Sequence, residues 1–393
     1  MELLMDILTL FCKVLTGYTA VVGLFFLLPR PKRPRAAPKT RFAVVIPARN
    51  EENVVEDLVK SLYRQDYPGE LFDVFVVPNN CTDDTEGAAR RAGARILTCR
   101  GQVKSKGEVL HDVFDQLMGH YDAYCVFDAD NLAASEFLSR MNDAVCAGAH
   151  VAKSRQLAQN PYDSWISGCY DLYFENFNLL YSRPRERLGL SAKLVGTGFM
   201  VTDDLLHRMG GWNTRTLTED AEFAAQCAIA GERVHYVPQA RNFDEQPLTL
   251  ALSMRQRRRW SAGVMDTANR YVFRLLARPS RVRVDLAILL SMIYAQLLAA
   301  VPLVYSLAGL PLAEAAGKLA AALAGYWAGL VLTALFLAVK NRRSVRKMWK
   351  SILLYPLFLA SWYPLHVLSL VAKPRTWRPI PHGQKQESEA MRR

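Results

Sequence analysis

The sequence predicts an α/β domain with a mostly parallel sheet, joined to transmembrane helices, one N-terminal and about three C-terminal. Short apolar runs bounded by polar loops alternate with helical segments between residues 42 and 127, which is typical of buried parallel strands separated by helices. Three uncharged stretches follow, at residues 286–313, 319–339 and 351–372. Each is about 20 residues or longer, which is enough for a helix to cross a bilayer.

A fourth apolar run, residues 14–28 with an extension through 7–11, lies near the N-terminus. A cleaved signal peptide is the alternative interpretation, but such a peptide begins with basic residues and ends in a small-residue cleavage site. Here Glu2 and Asp6 precede the run, and basic residues follow it. Because basic residues hold their side of the membrane in the cytoplasm, we predict an uncleaved anchor over residues 1–29, a basic linker over 30–41 and a cytoplasmic domain over 42–250.

The elements of this domain follow from the same patterns. Continuous apolar runs predict strands at residues 42–47, 72–77, 94–97 and 124–127. The intervening segments predict helices at 54–63, 86–92 and 106–117, and a later helix at 221–230 ends before Gly231. The loops after parallel strands gather at one edge of the sheet, where the ligands of open α/β sheets bind.

Two aspartates follow the fourth predicted strand. Asp128 and Asp130 come directly after the apolar run that ends at Phe127. Carboxylates at i and i+2 on such a loop can bind one hard cation, Mg²⁺ or Mn²⁺, whose other positions are filled by water and phosphate oxygens. A solvated loop is the alternative interpretation, so the neighbouring motifs must decide.

The net charge of +12 and the seven cysteines limit the function classes. The basic residues cluster at residues 30–41, 255–259, 278–283 and 340–350, beside the apolar runs. This distribution is typical of a membrane protein that faces anionic lipid on its cytoplasmic side, and it argues against nucleic acid as a partner. The cysteines show neither close pairing nor metal-ligand spacing, so we expect reduced thiols.

The third C-terminal stretch leaves two topologies open. With a cytoplasmic main domain, the first two crossings return the basic cluster at 340–350 to the cytoplasm, as the charge rule requires. A third full crossing would leave Lys373, Arg375 and Arg378 outside, against that rule. Pro356 and Pro364 interrupt the stretch, so a re-entrant segment that lines a cavity is the alternative.

Six motifs occur in order between residues 42 and 260. They are Val45-Ile46-Pro47-Ala48-Arg49-Asn50-Glu51, Asn80-Cys81-Thr82-Asp83-Asp84-Thr85, Lys106-Gly107, Asp128-Ala129-Asp130, Thr218-Glu219-Asp220 and Gln256-Arg257-Arg258-Arg259-Trp260. This set resembles the family 2 glycosyltransferases, and within them the membrane-integral branch that contains hyaluronan, chitin and cellulose synthases, the rhizobial chitooligosaccharide synthase and ceramide glucosyltransferase. The resemblance implies a catalytic GT-A nucleotide-sugar-binding domain over residues 42–250. Interfacial helices with the Gln-x-x-Arg-Trp motif follow over 251–283, then a membrane region over 284–372 and a polar tail over 373–393.

The resemblance also implies which residues bind the nucleotide-sugar donor. They are Pro47, Ala48, Arg49, Glu51, Asn79, Asp83, Lys106 and Asp128. Asp83 would contact the uracil, Lys106 would lie near the diphosphate, and Asp128 and Asp130 would hold the bridging Mg²⁺ or Mn²⁺. Many family members have an aspartate where this chain has Pro78-Asn79. The amide of Asn79 can hydrogen-bond a base or a ribose, but it adds no charge.

Asp220 is the predicted catalytic base. Transfer from a nucleotide diphosphate requires a cation that stabilises the leaving diphosphate, and a carboxylate that accepts the proton of the attacking hydroxyl. Direct in-line attack inverts the anomeric centre. Glu219 and Asp220 also lie in a predicted first helical turn, where the helix dipole favours acidic residues in any case. The motif favours the catalytic interpretation.

On the acceptor and diphosphate side the resemblance places Gly198, Glu219, Gln256, Arg259 and Trp260. A guanidinium suits diphosphate binding, and an indole suits stacking on a sugar. An amphipathic basic helix on anionic lipid is the other interpretation, and we assign it to Arg255, Arg257 and Arg258. An aromatic stripe over residues 162–181 is either core or acceptor site.

The sequence therefore predicts a multi-pass cell-membrane enzyme with its catalytic domain in the cytoplasm. It would be a metal-dependent, inverting hexosyltransferase that transfers GlcNAc or glucose from a UDP-sugar to a growing polysaccharide or glycan. Transfer of one sugar to a lipid is the alternative, because ceramide glucosyltransferase shares the Gln-x-x-Arg-Trp pattern. A non-enzymatic transporter is a different class, but it does not explain carboxylates at the strand ends. The expected partners are the donor, a glycan or lipid acceptor and membrane lipids.

Overall fold

The structure, a computed structural model, describes residues 1–29 and 34–372. Residues 30–33 of the predicted basic linker lie outside the described residues, as does the whole predicted polar tail with Lys373, Arg375 and Arg378. The membrane topology that we infer from the charges of that tail therefore stays a prediction.

An eight-stranded sheet forms the centre of the main domain, in the order β3-β2-β1-β4-β7-β6-β8-β5. Its strands are β1 (Phe42–Ala48), β2 (Phe72–Pro78), β3 (Arg95–Ile96), β4 (Ala123–Val126), β5 (Asn131–Ala133), β6 (Val151–Ala158), β7 (Phe199–Thr202) and β8 (His235–Asp244). β1 pairs in parallel with β2 and β4, β2 with β3, and β6 with β8. β7 runs antiparallel between β4 and β6, and β5 runs antiparallel to β8. The predicted mostly parallel sheet is confirmed.

Helices cover both faces of this sheet. They are α2 (Val55–Tyr63), α3 (Thr85–Arg91), α4 (Lys106–Leu117), α5 (Phe137–Cys146), α6 (Trp165–Asn176), α7 (Arg183–Leu188), α8 (Asp203–Met209) and α9 (Glu219–Ile229), and a π-helical turn (Phe177–Ser182) joins α6 to α7. On β1, Val44 and Ile46 pack into the cluster that includes α2, α3 and α5, whereas Val45 packs into the cluster that includes α4 and α9. Burial on both faces explains why the run is continuously apolar.

The remaining helices form an apolar layer beside the domain. They are α1 (Glu2–Leu24), α10 (Leu250–Leu276), α11 (Arg281–Leu298), α12 (Ala300–Ala308), α13 (Leu312–Lys340), α14 (Val345–Ala360) and α15 (Trp362–Val371). Among the residues that the structure describes, four segments are long and apolar enough to cross a membrane, namely Glu2–Leu27, Arg281–Ala308, Leu312–Lys340 and Val345–Val371. These match the predicted N-terminal helix and three C-terminal helices. The last one breaks at Ser361 between α14 and α15, and Pro356 lies inside α14.

Ion pairs and a hydrogen bond connect the domain to the apolar helices. Arg185 on α7 and Asp285 on α11 form a pair with both side chains fully buried, and Nε of Arg185 lies 3.0 Å from Oδ2 of Asp285. The hydroxyl of Tyr18 on α1 donates to the same carboxylate at 2.9 Å. Arg343, which follows α13, pairs with Asp171 on α6 at 2.6 Å. These contacts join α6 and α7 of the domain to α11 and to the segment after α13.

Candidate active site

A cavity of about 2000 Å³ begins at the carboxyl ends of the central strands and continues between the apolar helices. Most of the predicted site residues line it. They are Pro47, Ala48, Arg49, Glu51, Asn79, Lys106, Asp128, Asp130, Glu219, Asp220, Gln256, Arg259 and Trp260. The structure thus brings together residues from six loops and helices that are distant in the sequence.

Lys106 and Asp128 form the centre of the polar end. Lys106 is the first residue of α4, and its ammonium pairs with the Asp128 carboxylate and lies 3.6 Å from Oε1 of Glu219. Burial lowers the pKa of Lys106, but Asp128 and Glu219 outweigh it, so the pKa is raised. Gly107 allows this close packing, because a Cβ there would lie 2.7 Å from Oγ1 of Thr214. Lys106 therefore stays charged, in reach of any anion that binds Asp128 through a cation.

Asp130 and Asp244 form a second acidic group beside Asp128. The side-chain amide of Asn131 donates to Oδ1 of Asp130 and to Oδ1 of Asp244, both at 3.0 Å. Burial and repulsion from Asp130 and Asp128 raise the pKa of Asp244 well above its usual range. Asp244 is the last residue of β8. An acidic residue at the end of a strand is the same signal that predicted Asp128. Asp244 was missed because Pro238 and Arg241 interrupt the apolar pattern of β8.

The carboxylate oxygens of Asp128 and Asp130 suit Mg²⁺ or Mn²⁺ in their chemistry. Among residues 1–29 and 34–372, no group of three or more His, Cys, Asp or Glu side chains has the arrangement of a complete metal site. Mg²⁺ does not need one, because it keeps several waters and binds one or two carboxylates together with substrate phosphates. The two aspartates therefore fit a cation that a diphosphate shares.

Glu219 and Asp220 open α9 at the centre of the cavity wall. The Ala221 backbone N–H donates to Oδ1 of Asp220 at 2.7 Å. Burial raises the pKa of Asp220, although the positive charges of Lys106, Lys193 and Arg259 oppose it. Burial also raises the pKa of Glu219 to about 7, and the negative charge of Asp220 adds to the effect. Two adjacent acids thus hold protons more tightly than free carboxylic acids.

The motif on α10 closes the cavity beside Asp220. Nη1 of Arg259 donates to the carbonyl of Leu217 at 3.4 Å, in the loop that leads into α9. Gly263 lets α10 approach this loop, because a Cβ there would lie 2.7 Å from the backbone nitrogen of Thr218. The ring of Trp260 stacks on Trp362 with 6.3 Å between the ring centroids. Trp260 therefore joins the polar end of the cavity to the apolar helices.

The assignment of Arg257 to a lipid-facing surface is wrong. Its side chain is fully buried, and its Nη1 donates to the carbonyl of Phe358 at 2.9 Å. The guanidinium also lies over the Phe358 ring, 4.3 Å from the centroid. Packing of α14 and α15 against α10 buries this arginine, whereas Arg255 is exposed. The sequence of α10 alone does not show which of its arginines these two helices bury.

Two predicted site residues lie behind the cavity wall. The Asp83 carboxylate accepts hydrogen bonds from the backbone N–H groups of Thr85 at 3.2 Å and Glu52 at 3.1 Å. Gly198 has φ +62°, and a Cβ there would lie 2.5 Å from Oδ1 of Asn242. Asp83 and Gly198 therefore fix the conformation of their loops. Residues near them, such as Glu51 and Gly196–Thr197, line the cavity.

The aromatic stripe contributes to both core and cavity. Tyr170 is fully buried and contacts Trp260 and Phe358. Four of its neighbours line the cavity, namely Tyr173, Phe174, Phe177 and Tyr181. The core interpretation therefore holds for Tyr170, and an acceptor role for the residues that line the cavity stays a prediction.

Beyond these aromatic rings the cavity becomes apolar. We call this part the apolar chamber, and it is lined by Leu289, Leu290, Ile293, Leu330, Phe336 and Leu365. These residues come from α11, α13 and α15, and residues of α1 such as Gly23 and Leu24 complete the wall. One continuous cavity thus reaches from the carboxylates to the interior of the candidate membrane helices.

Comparison with known proteins agrees with this geometry. Residues 38–263, more than half of the chain, match the family model described as "Glycosyltransferase like family 2". The probable glycosyltransferase YdaM of Bacillus subtilis strain 168 is 28% identical over 244 residues, which are 59% of this chain and 56% of that protein. A beta-monoglucosyldiacylglycerol synthase of Synechocystis sp. PCC 6803 is 26% identical over 240 residues, 58% of this chain and 48% of that protein. The chain thus spans about half the length of the curated relatives it matches.

A solved structure shows the same fold. The mannosyltransferase PcManGT from Pyrobaculum calidifontis, solved in complex with GDP-Man and Mn²⁺, superposes with a TM-score of 0.64 at 19% identity, and the match covers 94% of this chain and all of that chain. The predicted GT-A-like domain with additional apolar helices is confirmed. The protein belongs to the family 2 glycosyltransferases.

Proposed function

We propose that this protein transfers one hexose, with inversion, from a UDP-sugar to a hydroxyl group of a membrane lipid. The continuity of the cavity carries this proposal. An acceptor whose acyl chains occupy the apolar chamber presents its polar end beside Asp220. The name of the Synechocystis relative, a monoglucosyldiacylglycerol synthase, supports a lipid acceptor. UDP-glucose and UDP-GlcNAc are the preferred donors.

The polar end of the cavity would bind the donor. Pro47, Ala48, Arg49, Glu51 and Asn79 line the part that lies at the ends of β1 and β2. Asp128 and Asp130 would hold Mg²⁺ or Mn²⁺, which stabilises the negative charge of a leaving diphosphate when it is bound. The presence of Mn²⁺ in the PcManGT complex supports this assignment.

Lys106 and Asp220 would act on opposite sides of the transferred sugar. Lys106 would donate to the diphosphate, whose negative charge grows as the bond from C1 to its oxygen breaks. The acceptor oxygen forms the new bond to C1, and Asp220 takes the hydroxyl proton. Attack from the face opposite the diphosphate inverts C1.

Residues of α10 would position the acceptor. Trp260 lines the cavity together with Asp220 and with Tyr173, Phe174, Phe177 and Tyr181, which we call the aromatic wall. Its indole would stack on a sugar or on the headgroup of a lipid. Gln256 and Arg259 would bind the acceptor or the diphosphate, and Glu219 would hold Lys106 in place. Asp83 and Gly198 would support the loops behind these residues.

We further propose a multi-pass protein of the cell membrane with residues 42–250 in the cytoplasm and residues 251–283 at the membrane interface. Exposed basic side chains beside the apolar helices, such as Arg255 on α10 and Arg346 and Lys350 on α14, would contact anionic headgroups. The donor would then reach the cavity from the cytoplasm, and the lipid would enter it from the bilayer.

A polysaccharide product is the second candidate, because the motif set resembles hyaluronan, chitin and cellulose synthases. A radiolabel assay on detergent-solubilised protein, with UDP-glucose or UDP-GlcNAc and Mn²⁺ or Mg²⁺, separates the two. We expect a single labelled species that partitions into organic solvent. A ladder of water-soluble products would instead show that the acceptor is a growing glycan.

A further inference from the structure

Lys193 lies where the polar end of the cavity meets the aromatic wall. It belongs to the segment between α7 and β7 and lines the cavity. Its ammonium nitrogen lies 3.5 Å from the centroid of the Phe177 ring. In the part of the chain that the structure describes, this ammonium forms no ion pair and no hydrogen bond. Lys193 thus faces the cavity with a charge that no carboxylate of the protein neutralises by direct contact.

The other cations of the site differ from Lys193 in this respect. Lys106 pairs with Asp128, and Arg259 donates to the carbonyl of Leu217. Lys153 on β6, only 1% exposed, lies near Lys193 and also forms no ion pair among the described residues. An ammonium that is removed from water without a counter-charge is costly. Lys193 lines the cavity whereas Lys153 does not, so Lys193 is the cation that a bound anion can neutralise by direct contact.

The electrostatics agree with this placement. Burial lowers the pKa of Lys193 to about 8, although the negative charge of Asp220 opposes it. Burial, together with repulsion by Lys193, lowers the pKa of Lys153 to about 7. A bound anion would favour the charged form of both groups.

The anion belongs to the acceptor side of the cavity. Both Lys106 and Lys193 interact electrostatically with Asp220, the proposed base, but of the two only Lys106 pairs with Asp128 at the donor side, whereas Lys193 lies over the ring of Phe177. The ring under Lys193, Phe177, begins the π-helical turn, a local distortion that is frequent at functional sites. This turn also places Tyr181 in the cavity wall that leads to the apolar chamber.

We propose that Lys193 binds the phosphate group of an anionic acceptor lipid and thereby holds a hydroxyl of its headgroup beside Asp220. The inference rests on the proposed lipid acceptor and deepens it. The headgroup oxygen bonds to C1 of the sugar, the bond from C1 to the diphosphate breaks, and the hydroxyl proton passes to Asp220. The lipid phosphate is unchanged. A lipid monophosphate has the same recognition chemistry, but its own oxygen would attack C1.

Initial rates of the full chain in mixed micelles test this proposal. Three acceptors are offered with labelled UDP-sugar, namely diacylglycerol, phosphatidylglycerol and a polyprenyl phosphate. The variants are Lys193→Met and Lys193→Arg, with Lys347→Met as the matched control. Lys347 also lies over an aromatic ring, 5.2 Å from the centroid of Tyr162, but it is exposed and does not line the cavity.

We expect the wild-type protein to use phosphatidylglycerol with a higher kcat/KM than diacylglycerol. Because charge-assisted hydrogen bonds are among the stronger ones, Lys193→Met should raise KM for the anionic lipid about 10- to 100-fold. It should change KM for diacylglycerol little, Lys193→Arg should restore most of the affinity, and Lys347→Met should match the wild type. Preferential labelling of the polyprenyl phosphate would identify the phosphate oxygen, and not a headgroup hydroxyl, as the nucleophile. Lys193 would then still bind the phosphate.

Two results would overturn the inference while the lipid acceptor stands. One is a wild-type protein that labels diacylglycerol at least as well as both anionic lipids. The other is an equal loss with neutral and anionic acceptors in Lys193→Met, which would make the lysine structural. A polymer ladder without labelled lipid refutes the proposed function itself, so the two failures are distinguishable. If Lys193→Met does not fold, Lys193→Arg and the acceptor preference of the wild type still decide.

Discussion

The two ends of the cavity are built in different ways. The polar end consists of side chains that directly follow β1, β2 and β4 or begin α4 and α9, so each lies next to the element that positions it. The apolar end is assembled from α1, the π-helical turn, α10, α11, α13 and α15, which meet only after the whole chain has folded. The residues of the polar end are therefore encoded locally, whereas the shape of the apolar end depends on packing between distant segments.

The replacement Asp220→Asn tests the chemistry at the polar end. An amide cannot accept the proton of the attacking hydroxyl, so we expect the transfer rate to fall by about 10²- to 10⁴-fold. Calorimetric titration with UDP and Mn²⁺ should give a nearly unchanged Kd, since the proposed base would contact the acceptor hydroxyl and not UDP. Loss of UDP binding together with activity would show that Asp220 supports the fold instead.

The replacement Arg185→Met tests the contact between α7 of the domain and α11 of the apolar helices. It leaves Asp285 buried without its counter-charge, which typically costs about 3–5 kcal/mol of stability. Thermal unfolding in detergent measures this loss. The control is Arg208→Met, which removes two surface pairs, with Asp204 and Glu232; this arginine is 42% exposed, and each pair should contribute at most about 1 kcal/mol. Equal effects of the two replacements would mean that the buried pair does not hold α7 against α11.

The replacement Asp128→Ala separates metal binding from the rest of the donor site. Removing one of two carboxylate ligands should weaken Mn²⁺-dependent UDP binding by about 10- to 100-fold, on the scale at which even outer-shell residues act. Asp84→Ala is the control, because that carboxylate is exposed and pairs with Arg91. A Mn²⁺ titration that is identical in Asp128→Ala and the wild type would exclude Asp128 as a ligand.

The same division explains what the sequence could predict. Asp128 was predicted because an acidic residue directly after an apolar strand is visible in a window of a few residues, whereas Lys106 and Asp220 were predicted from the resemblance of the motifs around them. β8 was missed because Pro238 and Arg241 break its apolar pattern, and Asp244 was missed with it. Burial of Arg257 and the exposure of Lys193 to the cavity follow from contacts with segments far away in the chain.

The replacement Trp260→Ala tests the boundary between the two ends. Loss of the indole removes its stacking on Trp362 and its face toward the cavity. Aromatic stacking contributes about 0.5–1.5 kcal/mol beyond burial, so KM for the acceptor should rise several-fold, up to about 10-fold. Hydrolysis of the donor by water, measured without acceptor, should change less. If transfer and hydrolysis fall equally, Trp260 belongs to the donor end.

The smallest expected effect concerns the pH dependence at the polar end. Glu219 and Asp220 titrate as a pair, so the acid limb of kcat/KM reports apparent pKa values of the pair. Burial raises the pKa of both carboxylic acids, that of Glu219 to about 7, so transfer should weaken already as the pH falls through 7. Glu219→Gln removes one negative charge beside Asp220. We therefore expect the acid limb to move to lower pH by about half to one unit.

Stability provides an independent check of the same variant, with its sign fixed by linkage. A carboxyl group whose pKa is raised in the folded state stabilises the fold fully below its unfolded value of 4.5, and this stabilisation is lost as the pH rises through about 7. Glu219→Gln should therefore melt at a higher temperature than the wild type at pH 8, and this advantage should shrink toward pH 5. The opposite sign would mean that the pair of Glu219 with Lys106 outweighs the burial of the carboxylate.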